Sequence, residues 1–222
     1  MPLSHLHDLT DDVLARAARI RLACFDVDGT LTDGRLYLDS EGREQKTFHV
    51  QDGQGLVLLK RAGIEVAFIT ARGGTVAVAR GRELGVQVFT GVKDKLARVR
   101  ELGTGLGLPM EQVAFMGDDL PDVPSFREVG LAIAPADAHP WTAQYAHWRT
   151  RRRGGQGAAR EACDLLLGTQ GHAPLFEGGT ACAGAPRWAW YCCWRPSSAA
   201  GRPGRIGTSP RPAGSSSTAP TT

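Results

Sequence analysis

Short apolar runs alternate with segments of helical periodicity along most of this chain. The apolar runs have the length of buried strands and occupy residues 20–25, 64–70, 86–89, 113–116 and 131–133. Segments with helical spacing lie at residues 13–19, 55–61, 75–84, 93–102, 123–129 and 157–167. Strands that alternate with helices pair in parallel, because each helix returns the chain to the same end of the sheet. The pattern therefore predicts an α/β fold, a doubly wound, Rossmann-like parallel sheet with helices on both faces.

One segment departs from this alternation. Residues 35–39 and 45–50 have strand character and flank the turn-forming cluster Ser40-Glu41-Gly42. Two strand-like runs around such a cluster predict a β-hairpin, inserted here between the first strand and the helix at 55–61.

Acidic residues follow two predicted strands at the point where each strand ends. Asp26 and Asp28 come directly after the first strand, and the period of two places them on the same side of the chain. Asp118 and Asp119 follow the strand at 113–116, with Asp122 one turn further on. Because open α/β sheets bind ligands at the carboxyl ends of their strands, we expect these carboxylates to converge on one hard divalent cation, Mg²⁺. For Asp26 and Asp28 alone the alternative is an ordinary turn, since Asp-Gly pairs are common in loops.

A hydroxyl and a cation are predicted at the same edge of the sheet. Thr70 ends the apolar run at 64–70, and Lys95 lies near the start of a helix. We expect the two side chains to form an anion site next to the metal.

Charge divides the chain near residue 171. Five of the 26 basic residues and one of the 23 acidic residues lie in 172–222, which leaves 21 basic and 22 acidic residues before them. A near-balanced domain has no basic surface for nucleic acid, so we expect none as a partner. Residues 172–222 are rich in Gly and Pro and lack periodicity, which predicts a disordered low-complexity tail after a domain of residues 1–171.

Cysteine content and hydropathy predict a cytoplasmic protein. Cys24 and Cys163, far apart in the main part of the chain, are not a disulfide framework. The first residues lack the charged start and apolar run of a signal peptide. No apolar stretch approaches the roughly 18–20 residues of a membrane span, so we expect no membrane partner.

In their order along the chain, these motifs resemble the haloacid dehalogenase superfamily of phosphatases. Asp26-Val27-Asp28-Gly29-Thr30 is similar to its first motif, Thr70 to its second, Lys95 to its third and Gly117-Asp118-Asp119 to its fourth. Segments at residues 48–53, 136–140 and 154–157 resemble, more narrowly, the 3-deoxy-D-manno-octulosonate 8-phosphate phosphatases, which act in bacterial lipopolysaccharide inner-core synthesis. Only 24 residues separate Thr70 from Lys95, so the resemblance implies a fold without a cap domain.

The resemblance implies a catalytic role for each motif residue. Asp26 would be the nucleophile that forms an aspartyl-phosphate, and Asp28 would be the general acid and base. The Asp26 carboxylate, the Asp28 backbone carbonyl and Asp118 would hold Mg²⁺. Thr70 and Lys95 would bind the phosphoryl oxygens.

The resemblance also implies a site for a small acidic sugar phosphate. Arg72 and Arg80 would pair with the substrate carboxylate, whereas the alternative for each is a solvated helix face. The other implied substrate contacts are Asp28, His49, Val50, Gln51, Asp52, Gly53, Lys95 and Asp119. Asp119 would also support the metal or orient Lys95.

An uncapped site is open to water, so the resemblance implies walls supplied by other subunits of a homotetramer. The glycine-rich C-terminal segment at residues 154–157, with Arg160 after it, would reach a neighbouring active site. A mobile glycine run of this kind would act as a lid.

Two other interpretations stay open. The same catalysis on another acidic sugar phosphate, such as a nonulosonate 9-phosphate, requires the same motifs. The second interpretation is a non-catalytic module of this fold that regulates a sugar-activating enzyme. The presence of every motif acid argues against this second interpretation. The unusual composition after residue 171 adds the possibility that this segment obstructs assembly.

Overall fold

The structure is a computed structural model of the chain that describes residues 3–172. Its strands are β1 (Leu22–Phe25), β2 (Tyr37–Leu38), β3 (Glu44–Gln45), β4 (Glu65–Ile69), β5 (Gln87–Phe89), β6 (Val113–Met116), β7 (Leu131–Ala134) and β8 (Trp148–Arg149). Its helices are α1 (Asp11–Ala17), α2 (Val50–Arg61), α3 (Thr75–Leu84), α4 (Lys95–Gly105), α5 (Val123–Phe126), α6 (Pro140–Ala143) and α7 (Ala158–Thr169). Single 3₁₀ turns occur at Met110–Gln112 and Leu120–Asp122.

Six strands form one parallel sheet in the order β5-β4-β1-β6-β7-β8. The predicted doubly wound α/β fold is confirmed, and β2 and β3 form the predicted antiparallel hairpin. Phe25 at the end of β1 is in register with Phe68 of β4 and Met116 of β6. The loops that follow these three central strands therefore leave the sheet at one edge, where open α/β sheets bind their ligands.

Two apolar layers cover the faces of the sheet. Ala23 and Phe25 of β1 belong to the layer that contains residues of α2 and α7, whereas Leu22 and Cys24 belong to the layer on the other face. Successive strand residues point to opposite faces, so an uninterrupted apolar strand is what a sheet covered on both faces requires.

The hairpin and α2 differ from the sequence prediction. The predicted strand at residues 45–50 is wrong beyond Gln45, and α2 begins at Val50 rather than at Gly55. His49 has extended backbone angles and stands at the N-cap position, so the helix starts directly after it. Gly53 and Gly55 lower helix propensity in the first turns, which hid this start from sequence reasoning.

The sheet also has a strand that the sequence prediction missed. Residues 131–133 were expected to be the last strand, but Trp148–Arg149 adds β8 beside β7. Trp148 is buried, and its indole N–H donates to the backbone carbonyl of His7 at 2.9 Å. A strand of two residues has no period for sequence analysis to detect.

The C-terminal predictions fall at the border of the described residues. The predicted domain end at residue 171 lies next to that border, and the predicted disordered tail lies outside the described residues except for His172. Among residues 3–172, no helix has both the length and the apolar character needed to cross a membrane.

Candidate active site

Backbone hydrogen bonds fix the three loops that carry the motif residues. The Asp26 N–H donates to the Met116 carbonyl at 2.8 Å, which extends the pairing of β1 and β6 by one residue. On the other side of β1, the Thr70 N–H donates to the Phe89 carbonyl at 2.9 Å. Asp26 and Thr70 are thereby held at the carboxyl end of the sheet by the sheet itself rather than by flexible loops.

Lys95 joins two buried carboxylates at this edge. Its Nζ lies 2.9 Å from Asp26 Oδ1 and 2.6 Å from Asp122 Oδ1. Lys95 is the first residue of α4, and the Asp94 side chain caps that helix by accepting the Ala97 N–H at 2.9 Å. The cap fixes the start of α4, and with it the position from which Lys95 reaches the acids.

Burial and charge perturb these groups in a consistent way. Burial raises the pKa of Asp26 well above its usual range, the Asp122 carboxylate raises this pKa further, and Lys95 opposes both. Burial lowers the pKa of Lys95, but the attraction of Asp26 and Asp122 outweighs burial, so this pKa is raised. The charge of Lys95 is therefore shared between the Asp26 and Asp122 carboxylates.

Asp118 faces Asp26 across the site. Its Oδ1 accepts the hydroxyl hydrogen of Thr30 at 3.1 Å. Burial first, and then repulsion from Asp122, raises the pKa of Asp118 to about 7. Gly29 packs directly against this carboxylate: its φ is +89°, and an added Cβ would lie 2.1 Å from Asp118 Oδ2. Only glycine has both the backbone freedom and the small volume that this position requires.

Asp28 lies at the open side of the site. Its Oδ2 accepts the Thr70 hydroxyl hydrogen at 3.2 Å, and the same Thr70 oxygen accepts the Arg72 N–H at 3.2 Å. The structure thus brings Asp26, Asp28, Thr70, Lys95 and Asp118 together, as the sequence predicted, although their chemical roles stay predictions.

The donor set fits a hard divalent cation. Carboxylate oxygens of Asp26, Asp118 and Asp122 lie within 4.8 Å of one another. Asp122 is the least available of the three, because its Oδ1 contacts Lys95 and its Oδ2 accepts the N–H groups of Asp118 at 3.0 Å and Asp119 at 3.1 Å. Asp26 and Asp118 are therefore the better ligands, and carboxylates are what Mg²⁺ prefers.

Asp122, rather than Asp119, makes the contact with Lys95, while support of the metal by Asp119 stays a prediction. Asp119 is exposed, and its Oδ1 accepts the Leu120 N–H at 2.8 Å as the cap of the 3₁₀ turn. Asp119 therefore does not orient Lys95; the fully buried Asp122 does. The signal available in the sequence was the spacing of a capping box, an acid three residues after the N-cap.

The two predicted substrate arginines lie in different surroundings. Arg72 is partly exposed, and its guanidinium contacts Glu44 Oε1 at 2.8 Å. Arg80 is largely buried, pairs with Glu83 at 2.7 Å and lies 5.8 Å from the Phe48 ring centre. An added Cβ on Gly53 would lie 2.1 Å from a terminal nitrogen of Arg80. Neither arginine is on a freely solvated helix face, since each is held by a partner from another segment or by packing.

The predicted substrate segment at residues 49–53 is the start of α2. Val50 and Gln51 are exposed, and His49 Nδ1 is buried without a hydrogen-bond partner in the described structure. The buried carboxylate of Asp52 accepts the N–H groups of Gly157 at 3.2 Å and Arg160 at 2.7 Å, and its substrate contact stays a prediction. In the structure this carboxylate caps α7.

The glycine-rich segment at residues 154–157 lies against the loop that follows β1, and its expected role as a lid over a neighbouring site stays a prediction. The Gly155 N–H donates to the Thr30 carbonyl at 3.1 Å, and a Cβ on Gly154 would lie 1.8 Å from the Gly29 carbonyl oxygen. The segment therefore packs against the catalytic loop of its own chain. Its glycines permit this close approach of two backbones.

No family model matches the chain. Two curated proteins resemble it over most of their length. The chain is 46% identical over 160 residues to the 3-deoxy-D-manno-octulosonate 8-phosphate phosphatase KdsC of Yersinia pestis, which covers 72% of this chain and 86% of that protein. It is 45% identical over 161 residues to the protein of the same name from Escherichia coli K12, with 72% and 86% covered.

Solved structures give the same relationship. A hypothetical protein from Xanthomonas campestris, XCC2798, is 55% identical with a TM-score of 0.76, covering 81% of this chain and 98% of that one. The 3-deoxy-D-manno-octulosonate 8-phosphate phosphatase of Moraxella catarrhalis, solved with a magnesium ion, a phosphate ion and a KDO molecule, is 38% identical with a TM-score of 0.74. That comparison covers 76% of this chain and 98% of the other.

Proposed function

This chain belongs to the 3-deoxy-D-manno-octulosonate 8-phosphate phosphatase family of the haloacid dehalogenase superfamily, and we propose that it hydrolyses this ester through a phosphorylated Asp26. It is a phosphoric monoester hydrolase that uses Mg²⁺. The observation that carries the proposal is the buried Asp26 carboxylate, paired with Lys95 and facing Asp118 at the carboxyl end of the sheet.

The first chemical step transfers the phosphoryl group to Asp26. One Asp26 carboxylate oxygen attacks phosphorus in line, and the bond between phosphorus and the sugar oxygen breaks. Asp28 donates a proton to that departing oxygen, which leaves as an alcohol. A covalent step of this kind divides one difficult hydrolysis into two easier ones.

The second step regenerates the enzyme. Asp28, now a carboxylate, removes a proton from a water molecule as the water oxygen attacks phosphorus. The bond between phosphorus and the Asp26 oxygen breaks, inorganic phosphate leaves, and Asp28 again carries its proton. A single carboxyl group thus serves as acid and then as base.

Lys95 and Thr70 stabilise the phosphoryl oxygens in this proposal. Lys95 is held between Asp26 and Asp122, so its charge is already in place when substrate binds. Thr70 donates to Asp28 in the structure and would exchange this contact for a phosphoryl oxygen. Donors fixed before the reaction stabilise developing charge without the cost of reorganisation.

Asp26, Asp118 and the Asp28 backbone carbonyl would hold Mg²⁺. Burial, and then repulsion from Asp122, raises the pKa values of Asp26 and Asp118, and a bound divalent cation would favour the ionised form of both carboxylates. When bound, Mg²⁺ supplies the positive charge that screens the nucleophile from the phosphoryl oxygens and stabilises charge developing on them.

The substrate's carboxylate would pair with Arg72 and Arg80. A planar guanidinium binds a carboxylate through two parallel hydrogen bonds, which selects acidic sugars over neutral ones. The exposed Val50, Gln51 and Asp119 would line the open side of the site.

We propose a homotetramer as the working form and the cytoplasm as its location. The hairpin exposes Leu36, Tyr37 and Leu38, three large apolar residues in succession, and such a patch on a small hairpin is typical of a protein interface. Cys24 and Cys163 are buried free thiols, which suits a reducing compartment.

Phosphate release tests the proposed substrate. Wild type with Mg²⁺ is compared on 3-deoxy-D-manno-octulosonate 8-phosphate, a nonulosonate 9-phosphate and common hexose phosphates, together with Asp26→Asn and the surface control Asp12→Asn. We expect a strong preference for the octulosonate ester, lost in Asp26→Asn and kept in Asp12→Asn. Equal rates on neutral hexose phosphates would contradict the assigned substrate, and full activity of Asp26→Asn would contradict the mechanism.

A further inference from the structure

A buried lysine outside the predicted site contacts the proposed acid and base. Lys46 follows β3 on the hairpin, and its side chain is only 5% exposed. Its Nζ contacts Asp28 Oδ1 and lies 3.4 Å from Glu44 Oε1. Neither Lys46 nor Glu44 is among the residues to which the sequence motifs or the mechanism above assign a role.

Lys46 completes the fixation of the Asp28 carboxylate. One Asp28 oxygen contacts Lys46, and the other accepts the Thr70 hydroxyl hydrogen at 3.2 Å. Asp28 lies on a loop, and these two partners on opposite oxygens set the rotation of its carboxylate plane. When Thr70 turns to a phosphoryl oxygen, Lys46 is the partner that remains. Burying a charged lysine costs free energy unless the charge is paired with an acid. The two acids around Lys46, Asp28 and Glu44, therefore stabilise its charged form in this position.

Glu44 extends the chain of contacts to the substrate arginine. Its Oε1 lies 3.4 Å from Lys46 Nζ and 2.8 Å from a terminal nitrogen of Arg72. The Glu44 side chain is 16% exposed, so water screens these pairs less than it screens a pair on the open surface. A continuous polar chain therefore runs from Arg72 through Glu44 and Lys46 to Asp28.

We propose that Lys46 and Glu44 are positioning residues, which hold the proton-transferring carboxylate of Asp28 in register with the substrate-binding guanidinium of Arg72. The proposal rests on the proposed function and assigns the hairpin a part in the same site. Proton transfer requires a donor within about 2.6–3.2 Å of the acceptor, so even a small rotation of Asp28 lowers the rate of proton transfer. Lys46 acts on turnover, whereas Glu44 acts on turnover through Lys46 and on substrate binding through Arg72.

Steady-state kinetics of four hairpin variants test the proposal. The variants are Lys46→Met, which keeps the length without the charge, Lys46→Arg, Glu44→Gln and the exposed control Arg43→Met. For Lys46→Met we expect a loss in kcat of about 100-fold, the scale of general acid–base catalysis, with little change in KM or in the Mg²⁺ concentration for half activation. Lys46→Arg should recover part of kcat, Glu44→Gln should lower kcat and raise KM, and Arg43→Met should resemble wild type.

Three outcomes overturn the proposal. They are an unchanged kcat in Lys46→Met, a rise in KM alone, and equal losses in Lys46→Met and Lys46→Arg at wild-type thermal stability. If Lys46→Met does not fold, the Lys46→Arg and Glu44→Gln variants test the proposal instead. A Glu44→Gln enzyme with wild-type kcat and KM would contradict a role for the polar chain from Arg72 to Asp28.

The assays are repeated on p-nitrophenyl phosphate to separate this proposal from the assigned substrate. If wild type is active on p-nitrophenyl phosphate but inactive on the octulosonate ester, only the assigned substrate is refuted. The effect of Lys46→Met on kcat can then still be measured with p-nitrophenyl phosphate. A Lys46→Met enzyme with wild-type kcat on both esters refutes the positioning role alone.

Discussion

Gly29 and Asp118 meet in the site with no room for a side chain between them. The loop turns at Gly29 with a φ of +89°, and this turn brings the backbone against the Asp118 carboxylate. Thr30, the next residue, donates its hydroxyl hydrogen to the same carboxylate. One glycine thus limits where a proposed metal ligand from a different strand can lie.

Gly29→Ala is expected to weaken Mg²⁺ activation. The new Cβ would lie 2.1 Å from Asp118 Oδ2, so the carboxylate has to move from its position beside the proposed metal site. Displacing a metal ligand or its support costs about 10–100-fold in metal affinity, and we expect the Mg²⁺ concentration for half-maximal phosphate release to rise on that scale.

The matched control for that experiment is Gly42→Ala at the hairpin tip. Gly42 also has a positive φ, +74°, but nothing lies within 4 Å of its added Cβ. Both variants therefore introduce backbone strain, but only Gly29→Ala introduces a close contact with Asp118. Equal Mg²⁺ requirements in the two variants would contradict the role assigned to Gly29.

Helices α2 and α7 show at the element scale what the sequence could and could not predict. The strands β1, β4 and β6 and helix α3 were predictable, because unbroken apolar runs and helical spacing are local signals. The start of α2 was not, because Gly53 and Gly55 disfavour a helix locally and are selected by contacts with distant residues. A Cβ on Gly55 would lie 2.9 Å from Cys163 Cβ on α7, and no local pattern contains that contact.

In the candidate site, too, local signals were predictable and contacts between distant residues were not. Motif residues at strand ends were predictable from their positions, since parallel strands end at one edge of the sheet. The choice of Asp122 over Asp119 as the partner of Lys95 depends on how a 3₁₀ turn orients three acids, which spacing alone does not decide. The inward turn of Lys46 likewise depends on the hairpin folding over Asp28.

Asp52→Ala tests whether this residue links α2 to α7 rather than binding substrate. Its carboxylate accepts the Gly157 and Arg160 N–H groups at the start of α7. Removing a helix cap costs about 1–2 kcal/mol, so we expect the free energy of unfolding in urea to fall by that amount. KM for the octulosonate ester should stay near the wild-type value. A large rise in KM at an unchanged free energy of unfolding would instead indicate that Asp52 contacts the substrate.

At the scale of the whole molecule, the hairpin contributes both to the site and to an exposed apolar surface. The described chain places Lys46 of the hairpin against Asp28, while Leu36 and Leu38 of the same hairpin are more than half exposed. An interface built on these apolar residues would cover them and hold the hairpin in place. Assembly and catalysis are then linked through one small element.

Leu38→Asp is expected to reduce the assembly. A charge placed at an apolar contact opposes association, so light scattering after size-exclusion chromatography should show a smaller species than the wild-type tetramer. Ser40→Asp adds the same charge to the exposed turn of the hairpin and should leave the tetramer intact. A monomeric wild type, or a tetrameric Leu38→Asp protein, would contradict the proposed interface.

Truncation after Gly171 tests whether residues 1–171 are the catalytic domain. Helix α7 ends at Thr169, so the shortened chain keeps every element of the described fold. We expect kcat, KM and the thermal midpoint to match those of the full chain. A shortened protein that loses activity would show that residues 172–222 contribute to the site, and a gain in assembly would show that they obstruct it.

The most direct test of the mechanism is detection of phosphate on Asp26. Asp28→Asn lacks the base for the second step, and p-nitrophenolate departs without a proton from Asp28, so the aspartyl-phosphate should accumulate after mixing with Mg²⁺ and p-nitrophenyl phosphate. Acid quenching followed by peptide mass spectrometry should then locate the phosphoryl group on Asp26, and the double variant Asp26→Asn/Asp28→Asn should carry none. Turnover by wild type with no phosphorylated peptide in Asp28→Asn, or with phosphate on another residue, would contradict the account.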